Sequence, residues 1–311
     1  MKIIFMGTPS FSVKILDKIQ SAHEVVLVVT QPDSFNYRKK TYTYSPVKEY
    51  ALSHNLEVFQ PEKLKDEMDK ILSTPCDLIV TAAYGQFVPS KILDYPRFKA
   101  INVHGSLLPK RRGGAPIQRS LIEGDNETGI SIMYMAKRMD AGDVIEKRAI
   151  PILDSDNQES LFDKLSILGS EMILGVIKKI EDGTVNATKQ DESEATFSFN
   201  LTKEDEKIDF SKSARSVFNQ IRGLSPNPGS YFIIDNTQIK VYNSRVEDKN
   251  VDYQEGTICG IFKDHFEVSC LGGSVVSILD VQLPSKNRMT ARDFLNGSGK
   301  KLIALGKKIG E

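Results

Sequence analysis

Four short runs of apolar residues, KIIFM, EVVLVVT, DLIVTAA and AINVH, constrain this chain more than any other feature of it. Each is apolar almost throughout instead of at alternate positions, as in strands covered on both faces, and the segments between them have helical spacing. Val13, Leu16 and Ile19 recur as one helix face, with Ser10 or Ser12 placed to cap its start. Pro46 opens a second helix, and the stretch from Pro61 to Leu72 reads as a third. Strand and helix in alternation predict an α/β fold on a parallel sheet. After Gly129 the run ISIMYM, a break at Asp140, Ala141 and Gly142, and then DVIEKRAI predict antiparallel pairing at the sheet edge. Leu161, Leu165, Leu168, Ile173 and Ile177 mark one long helix that Asp182 and Gly183 end.

The pattern then changes. From Thr184 to Thr202 the chain is polar with little periodicity, so we expect a linker at 184–202 between a domain at 1–183 and another at 203–311. Ser213 to Ile221 reads as a short helix. The runs GSYFIID, TQIKVYN, EGTICGIF, HFEVSC and SVVSILDVQL, punctuated by Asp235-Asn236 and Gly272-Gly273, predict a small closed β-barrel.

Composition narrows the function classes. No apolar stretch approaches the roughly 18 residues of a membrane span, and MKIIFMGTPSF is apolar too briefly for a signal peptide, so we expect a cytoplasmic protein. Cys76, Cys259 and Cys270 are far apart with no CxxC pair, which predicts packing residues, with neither a disulfide framework nor a structural zinc site. Forty-one basic and forty-one acidic residues exclude a cationic coat over the whole surface. Bases still cluster locally: Arg97, Lys99, Lys110, Arg111, Arg112 and Arg119 have no acid among them. Lys286, Arg288, Arg292, Lys300, Lys301, Lys307 and Lys308 face only Asp293 and Glu311.

Ligands of an open parallel sheet bind at the carboxyl ends of its strands. AINVH ends there and carries Asn102 and His104 on one face, two residues apart. The glycine- and proline-rich loop GSLLPKRRGGAP follows, and Asp140 lies in a second loop, MDAGD. An amide, an imidazole and a carboxylate suit acyl or formyl transfer to an amine. Asn102 would donate to the developing oxyanion, an effect of about 3 kcal/mol for one such donor. His104 would polarise the carbonyl or move a proton, and Asp140 would hold the imidazole's tautomer or help deprotonate the amine. Each residue alone has a structural reading too, Asn102 and His104 as strand-end residues and Asp140 as a turn residue. Ser106 lacks a GxSxG elbow and Gly7 lacks the other glycines of GxGxxG, which argues against a serine hydrolase and a dinucleotide site. His23, His54 and His265 receive no role.

NVHGSLLPKRRGGAPIQRSL, followed by ETGISIMYM and MDAGDVI, closely resembles the methionyl-tRNA formyltransferases. IIFMGTPSF, VVTQPD, FQPEKL, TAAYGQFVP and IDFSKSARSVFNQIRGLSPNPGSYF extend the likeness over essentially the whole chain. The resemblance implies a Rossmann-like formyltransferase domain joined to a C-terminal barrel of OB type. It implies transfer of the formyl group of 10-formyltetrahydrofolate to the amino group of methionyl initiator tRNA, with Asn102, His104 and Asp140 catalytic. Ser106, Leu107, Leu108 and Pro109 match the folate-contacting segment, and Phe87 and Val88 are expected at the pteridine. Arg38, Lys39 and Lys40, in a loop that departs from the family's usual Arg-Pro-x-Gly-Arg-Gly wording, are expected to meet tRNA phosphates, with Tyr37, Tyr42 and Tyr44 placed to stack. No protein-bound metal and no membrane partner are expected, and the chain is expected to act as a monomer. A formyltransferase acting on an amino sugar nucleotide would share the trio, a deformylase would use water as acceptor, and an inactive tRNA-binding protein is the alternative from another class.

Overall fold

The computed structural model describes residues 1–36 and 40–310. The chain divides into two compact units, Met1–Pro116 with Glu127–Pro151 and Phe162–Phe199, and Ile117–Asn126 with Ile152–Leu161 and Asn200–Glu311.

In chain order the first half forms β1 (Lys2–Gly7), α1 (Ser10–Gln20), β2 (Glu24–Val29), β3 (Ser34–Asn36), β4 (Thr41–Thr43), α2 (Pro46–Ser53) and β5 (Val58–Phe59). Then come α3 (Asp69–Leu72), β6 (Leu78–Ala82), α4 (Ser90–Leu93), β7 (Ala100–His104), α5 (Pro116–Glu123), β8 (Glu127–Tyr134), β9 (Val144–Pro151) and α6 (Gln158–Glu181). Seven strands make one sheet in the order β5-β2-β1-β6-β7-β8-β9. It is parallel from β5 to β7 and antiparallel at β8 and β9, so the edge pairing predicted after Gly129 is present. Every residue of β6 is buried, as a strand covered on both faces requires. Truncating a fully buried side chain here, such as Ile101, costs about 2–5 kcal/mol. Because β1 pairs with β2 on one side and β6 on the other, successive connections diverge, and the topological switch point lies at the carboxyl ends of β1 and β6, beside that of β7.

Three local expectations fail for identifiable reasons. Helix α1 has Pro9 at its cap position with no side-chain cap, and Ser12 instead donates to the Ala82 carbonyl at 2.6 Å, tying the helix to the end of β6. The helix expected over Pro61–Leu72 is only a 3-10 turn at Leu64–Asp66 and the single turn α3; of its side chains only Pro61, Leu64 and Ile71 are buried, too few for an apolar face. The stretch expected as a linker is anchored to the first unit by bridges from Thr188 to Val144 and from Phe197 to Arg112. Its polar residues are hydrogen-bonding partners, which apolar periodicity does not report.

The second half forms α7 (Lys203–Glu206), α8 (Ala214–Leu224), β10 (Ser230–Ile234), β11 (Thr237–Asn250), β12 (Ile258–Ile261), β13 (Phe266–Ser269), β14 (Ser274–Gln282), β15 (Met289–Thr290) and α9 (Ala291–Asn296). The Ser213 hydroxyl accepts from Ser216 N and caps α8. β10 and β11 join through Asp235 and Asn236, whose φ of 46° and 56° are those of a primed hairpin turn. The strands pair antiparallel in the order β10-β11-β14-β13-β12, with β15 on β14. The last residues then run from one end of that path to the other. Beside β12, Ile258 N donates to Lys307 O and Gly306 N to Ile258 O, and Gly310 N donates to Ile233 O in β10. Phe232, Phe266 and Phe294 fill the core between them.

Candidate active site

Asn102 and His104 occupy the last pleats of β7, on the same face of the strand. Thr81, paired with Asn102 from β6, donates its hydroxyl to Asn102 Oδ1 at 2.8 Å. With its oxygen committed, the amide presents Nδ2 as a donor at the strand end. His104 is 6% exposed, and its Nε2 lies 3.0 Å from the Arg111 carbonyl, which can only accept. Nε2 therefore carries the proton, and in the neutral ring Nδ1 is the free base. Asp140 Oδ2 stands 3.8 Å from that Nδ1, too far for a hydrogen bond and close enough to stabilise a protonated ring. The tautomer expected to be set by Asp140 is thus set by Arg111.

Loop backbone conformation places the carboxylate. Asp140 has φ +49°, and Gly113 N donates to its Oδ2 at 2.8 Å. Glycine is required at two positions beside it: a Cβ on Gly142 would lie 1.8 Å from the Tyr134 carbonyl, and one on Gly113, at φ +121°, would lie 2.5 Å from the Ser198 carbonyl. The loop after β7 is held from within. Ser106 donates to Lys110 O at 2.7 Å, while Ser131 donates to Ser106 O at 2.7 Å and accepts from Leu108 N at 3.0 Å.

The structure brings Asn102, His104 and Asp140 to one end of the sheet. Ser106 and Leu108 are buried there, while Leu107 and Pro109 are half-buried in the same loop. Phe87 is exposed, whereas Val88 is buried in the core with Ile4, Met6 and Tyr84, so the two expected pteridine contacts have opposite environments. Lys40 is exposed next to the β3–β4 hairpin; Arg38, Lys39 and Tyr37 lie outside the described residues. Phe35 and Tyr42 pair across that hairpin with ring centroids 5.1 Å apart, and Lys48 sits 4.0 Å over the Tyr44 ring. Lys307, one of the clustered C-terminal bases, pairs with Asp235 at 2.5 Å.

Sequence reasoning missed Thr81, the Arg111 carbonyl and Gln190, whose Nε2 donates to the Asp140 carbonyl at 2.8 Å. Their only trace in sequence is a polar residue inside or beside a motif. The cysteines carry no nucleophile: burial pushes the Cys270 thiol up to about 12 and the Cys76 thiol to about 11. Among the described residues Glu247, His265 and Glu267 gather within 4.8 Å, the right donor types for a cation. Arg245 and Lys249 already pair with the two carboxylates, each at 2.7 Å, which makes the group an ion-pair network. No described helix is long and apolar enough to cross a membrane.

Residues 1–177 match the family model described as formyl transferase, and residues 200–299 match formyl transferase, C-terminal domain. The methionyl-tRNA formyltransferase of Staphylococcus aureus strain MW2 is 46% identical over 310 residues, 99% of each chain. Among solved structures, the N-formyltransferase from Helicobacter canadensis in complex with folinic acid and dTDP-3-aminofucose matches with a TM-score of 0.69 at 19% identity, over 89% of this chain and 98% of that one. HypX from Aquifex aeolicus in complex with tetrahydrofolic acid matches with a TM-score of 0.67 at 16% identity, over 97% of this chain and 48% of its own. The two distant structures share the fold, while identity sustained over the full length sets the closer kinship: the chain belongs to the methionyl-tRNA formyltransferase family.

Proposed function

We propose that the enzyme moves the formyl group of 10-formyltetrahydrofolate onto the amino group of methionyl initiator tRNA, with Asn102, His104 and Asp140 as the catalytic residues. The observation that carries this reading is the ordered end of β7: a committed amide, a ring with its free nitrogen on Nδ1 and a carboxylate 3.8 Å from that nitrogen. An α-amino group with a pKa of about 7.7–8.0 is partly neutral at pH 7, so the acceptor amine attacks without a covalent enzyme intermediate. Attack on the formyl carbon pushes charge onto its oxygen, where Asn102 Nδ2 donates. His104 Nδ1 takes the proton that the amine loses, and Asp140 stabilises the charged ring. Collapse breaks the bond from the formyl carbon to the folate nitrogen, which regains a proton. Such positioned acid and base groups contribute roughly 10²- to 10⁴-fold.

The loop Ser106–Pro109 is the proposed folate contact, joined by Phe87 from its exposed position. Val88 would act there only through the packing beneath. Lys40, with Arg38 and Lys39, and the exposed Lys300, Lys301 and Lys308 are the proposed phosphate contacts of the tRNA. Full-length kinship favours the tRNA acceptor over an amino sugar nucleotide. A transfer assay offering both acceptors tests this: formyl-methionyl-tRNA as product supports the reading, and formylation of the sugar alone overturns it.

A further inference from the structure

Asp140 sits at φ +49°, where a residue with a side chain costs roughly 1–3 kcal/mol and persists only if its surroundings hold it. What holds it comes from residues 190–198, outside every motif that the sequence singled out. Gln190 is 7% exposed. Its Nε2 donates to the carbonyls of Asp140 at 2.8 Å and Gly142 at 2.7 Å, and its Oε1 accepts from Arg112 Nε at 3.1 Å and Nη2 at 2.9 Å. A primary amide has two N–H groups and two lone pairs, and all four are used. A half-turn of the amide would set its oxygen against two carbonyls and its NH₂ against a guanidinium, so the orientation is locked.

The anchor behind the amide is equally specified. Arg112, 1% exposed, also donates to the Glu192 carboxylate at 3.0 and 3.2 Å, and Arg138 reaches the same carboxylate at 2.6 Å. The main chain of Arg112 is also clasped, its N–H donating to Thr196 O at 2.9 Å and its carbonyl accepting from Ser198 N at 2.7 Å. The next residue is Gly113, whose N–H donates to the Asp140 carboxylate. One strap therefore holds Asp140 at both ends, its carbonyl through Gln190 and its carboxylate through Gly113.

We propose that Gln190, anchored by Arg112, is a positioning residue that sets Asp140 against His104, and that the segment 190–198 is part of the catalytic apparatus. The inference rests on formyl transfer at Asp140 as proposed above. Gln190→Glu is the informative variant: it retains acceptors for Arg112, and gains an ion pair with it, but offers no N–H to the two loop carbonyls.

Three readouts decide. Displacing a reacting group by about 1 Å can cost about 10²-fold, so we expect kcat to fall by about that factor while KM for the formyl donor stays within about threefold. Groups that act as a unit are non-additive, so in single turnovers Gln190→Glu should cost less than about threefold when placed on Asp140→Asn. The Gly113 amide, observed by hydrogen exchange, should lose at least about tenfold of its protection, since its acceptor moves. Equal losses in both backgrounds, or an unchanged kcat with Gly113 still protected, would overturn the proposal. Should Gln190→Glu not fold, Gln190→Met, uncharged and of similar length, carries the same test. A wild-type protein that transfers no formyl group would overturn the function, and the exchange comparison would still judge the strap by itself.

Discussion

Arg112 and Lys301 each have a basic neighbour in a stretch poor in acids, yet Arg112 is 1% exposed and Lys301 lies on the surface. In the loop after β7, Arg112 is spent on Gln190 and Glu192, and in α5 Arg119 forms a two-pronged pair with Asp205 at 2.7 and 2.9 Å. In the C-terminal segment Lys286, Arg292, Lys300, Lys301 and Lys308 are exposed, with no carboxylate partner among the described residues. Burying a guanidinium costs several kcal/mol unless its donors are met, which is why the first region needs acceptors from residues distant in sequence. A surface lysine needs none, so it stays available to an external phosphate. Bases from two stretches of similar charge thus have different tasks, Arg112 building the site and Lys300 and Lys301 facing solvent.

The largest expected effect breaks the inner cluster. Arg112→Met leaves Gln190 Oε1 without its donors and frees the strap, so kcat should fall by about 10²-fold. The unfolding free energy, from denaturant titration, should fall by about 1–3 kcal/mol for the orphaned acceptor. The same change on the outer cluster should behave oppositely. Lys300→Gln with Lys301→Gln should keep stability within about 0.5 kcal/mol. It should also lower the slope of log affinity for tRNA against log salt by about 0.7–0.9 for each phosphate that the protein no longer neutralises. An unchanged slope in filter binding would remove these lysines from the tRNA surface.

Smaller effects sharpen the contrast. Arg119→Gln breaks a partly exposed pair, for which a loss of about 1 kcal/mol or less is expected. Glu192 reads out the inner cluster by pH. Hydrogen bonds from Arg112 and then Arg138 hold its carboxyl down at about 2, against an ordinary 4.5. A depressed carboxylate stabilises the fold above its unfolded value, and that contribution is lost as pH falls through the folded one. Wild-type stability should therefore decline between about pH 4.5 and 2 more steeply than that of Glu192→Gln, measured by thermal unfolding across that window.

The sheet was legible because β1, β2, β6 and β7 are covered on both faces, and burial on both faces leaves an unbroken apolar run. Asn102, His104 and Asp140 were legible because a strand end, a glycine-rich loop and a tight turn have recognisable composition. What stayed hidden is what works through hydrogen bonds alone. Residues 184–202 looked like a linker because Gln190, Glu192, Thr196 and Ser198 are polar without period, and polarity there records partners on the 111–115 loop, not exposure to water. Arg112 stood out only as one member of a local cluster of bases for the same reason. The resemblance placed Val88 at the pteridine together with Phe87, but these successive residues have opposite environments, Phe87 exposed and Val88 buried in the core.

The most direct test is single-turnover transfer from labelled 10-formyltetrahydrofolate to methionyl initiator tRNA by wild-type protein and by Asp140→Asn, with tRNA affinity measured in parallel. The account predicts formyl-methionyl-tRNA from the wild type, a rate lower by roughly 10²- to 10⁴-fold in the variant, and tRNA affinity within about threefold in both. Transfer by Asp140→Asn at the wild-type rate, or a wild type that leaves methionyl-tRNA unformylated, would contradict it.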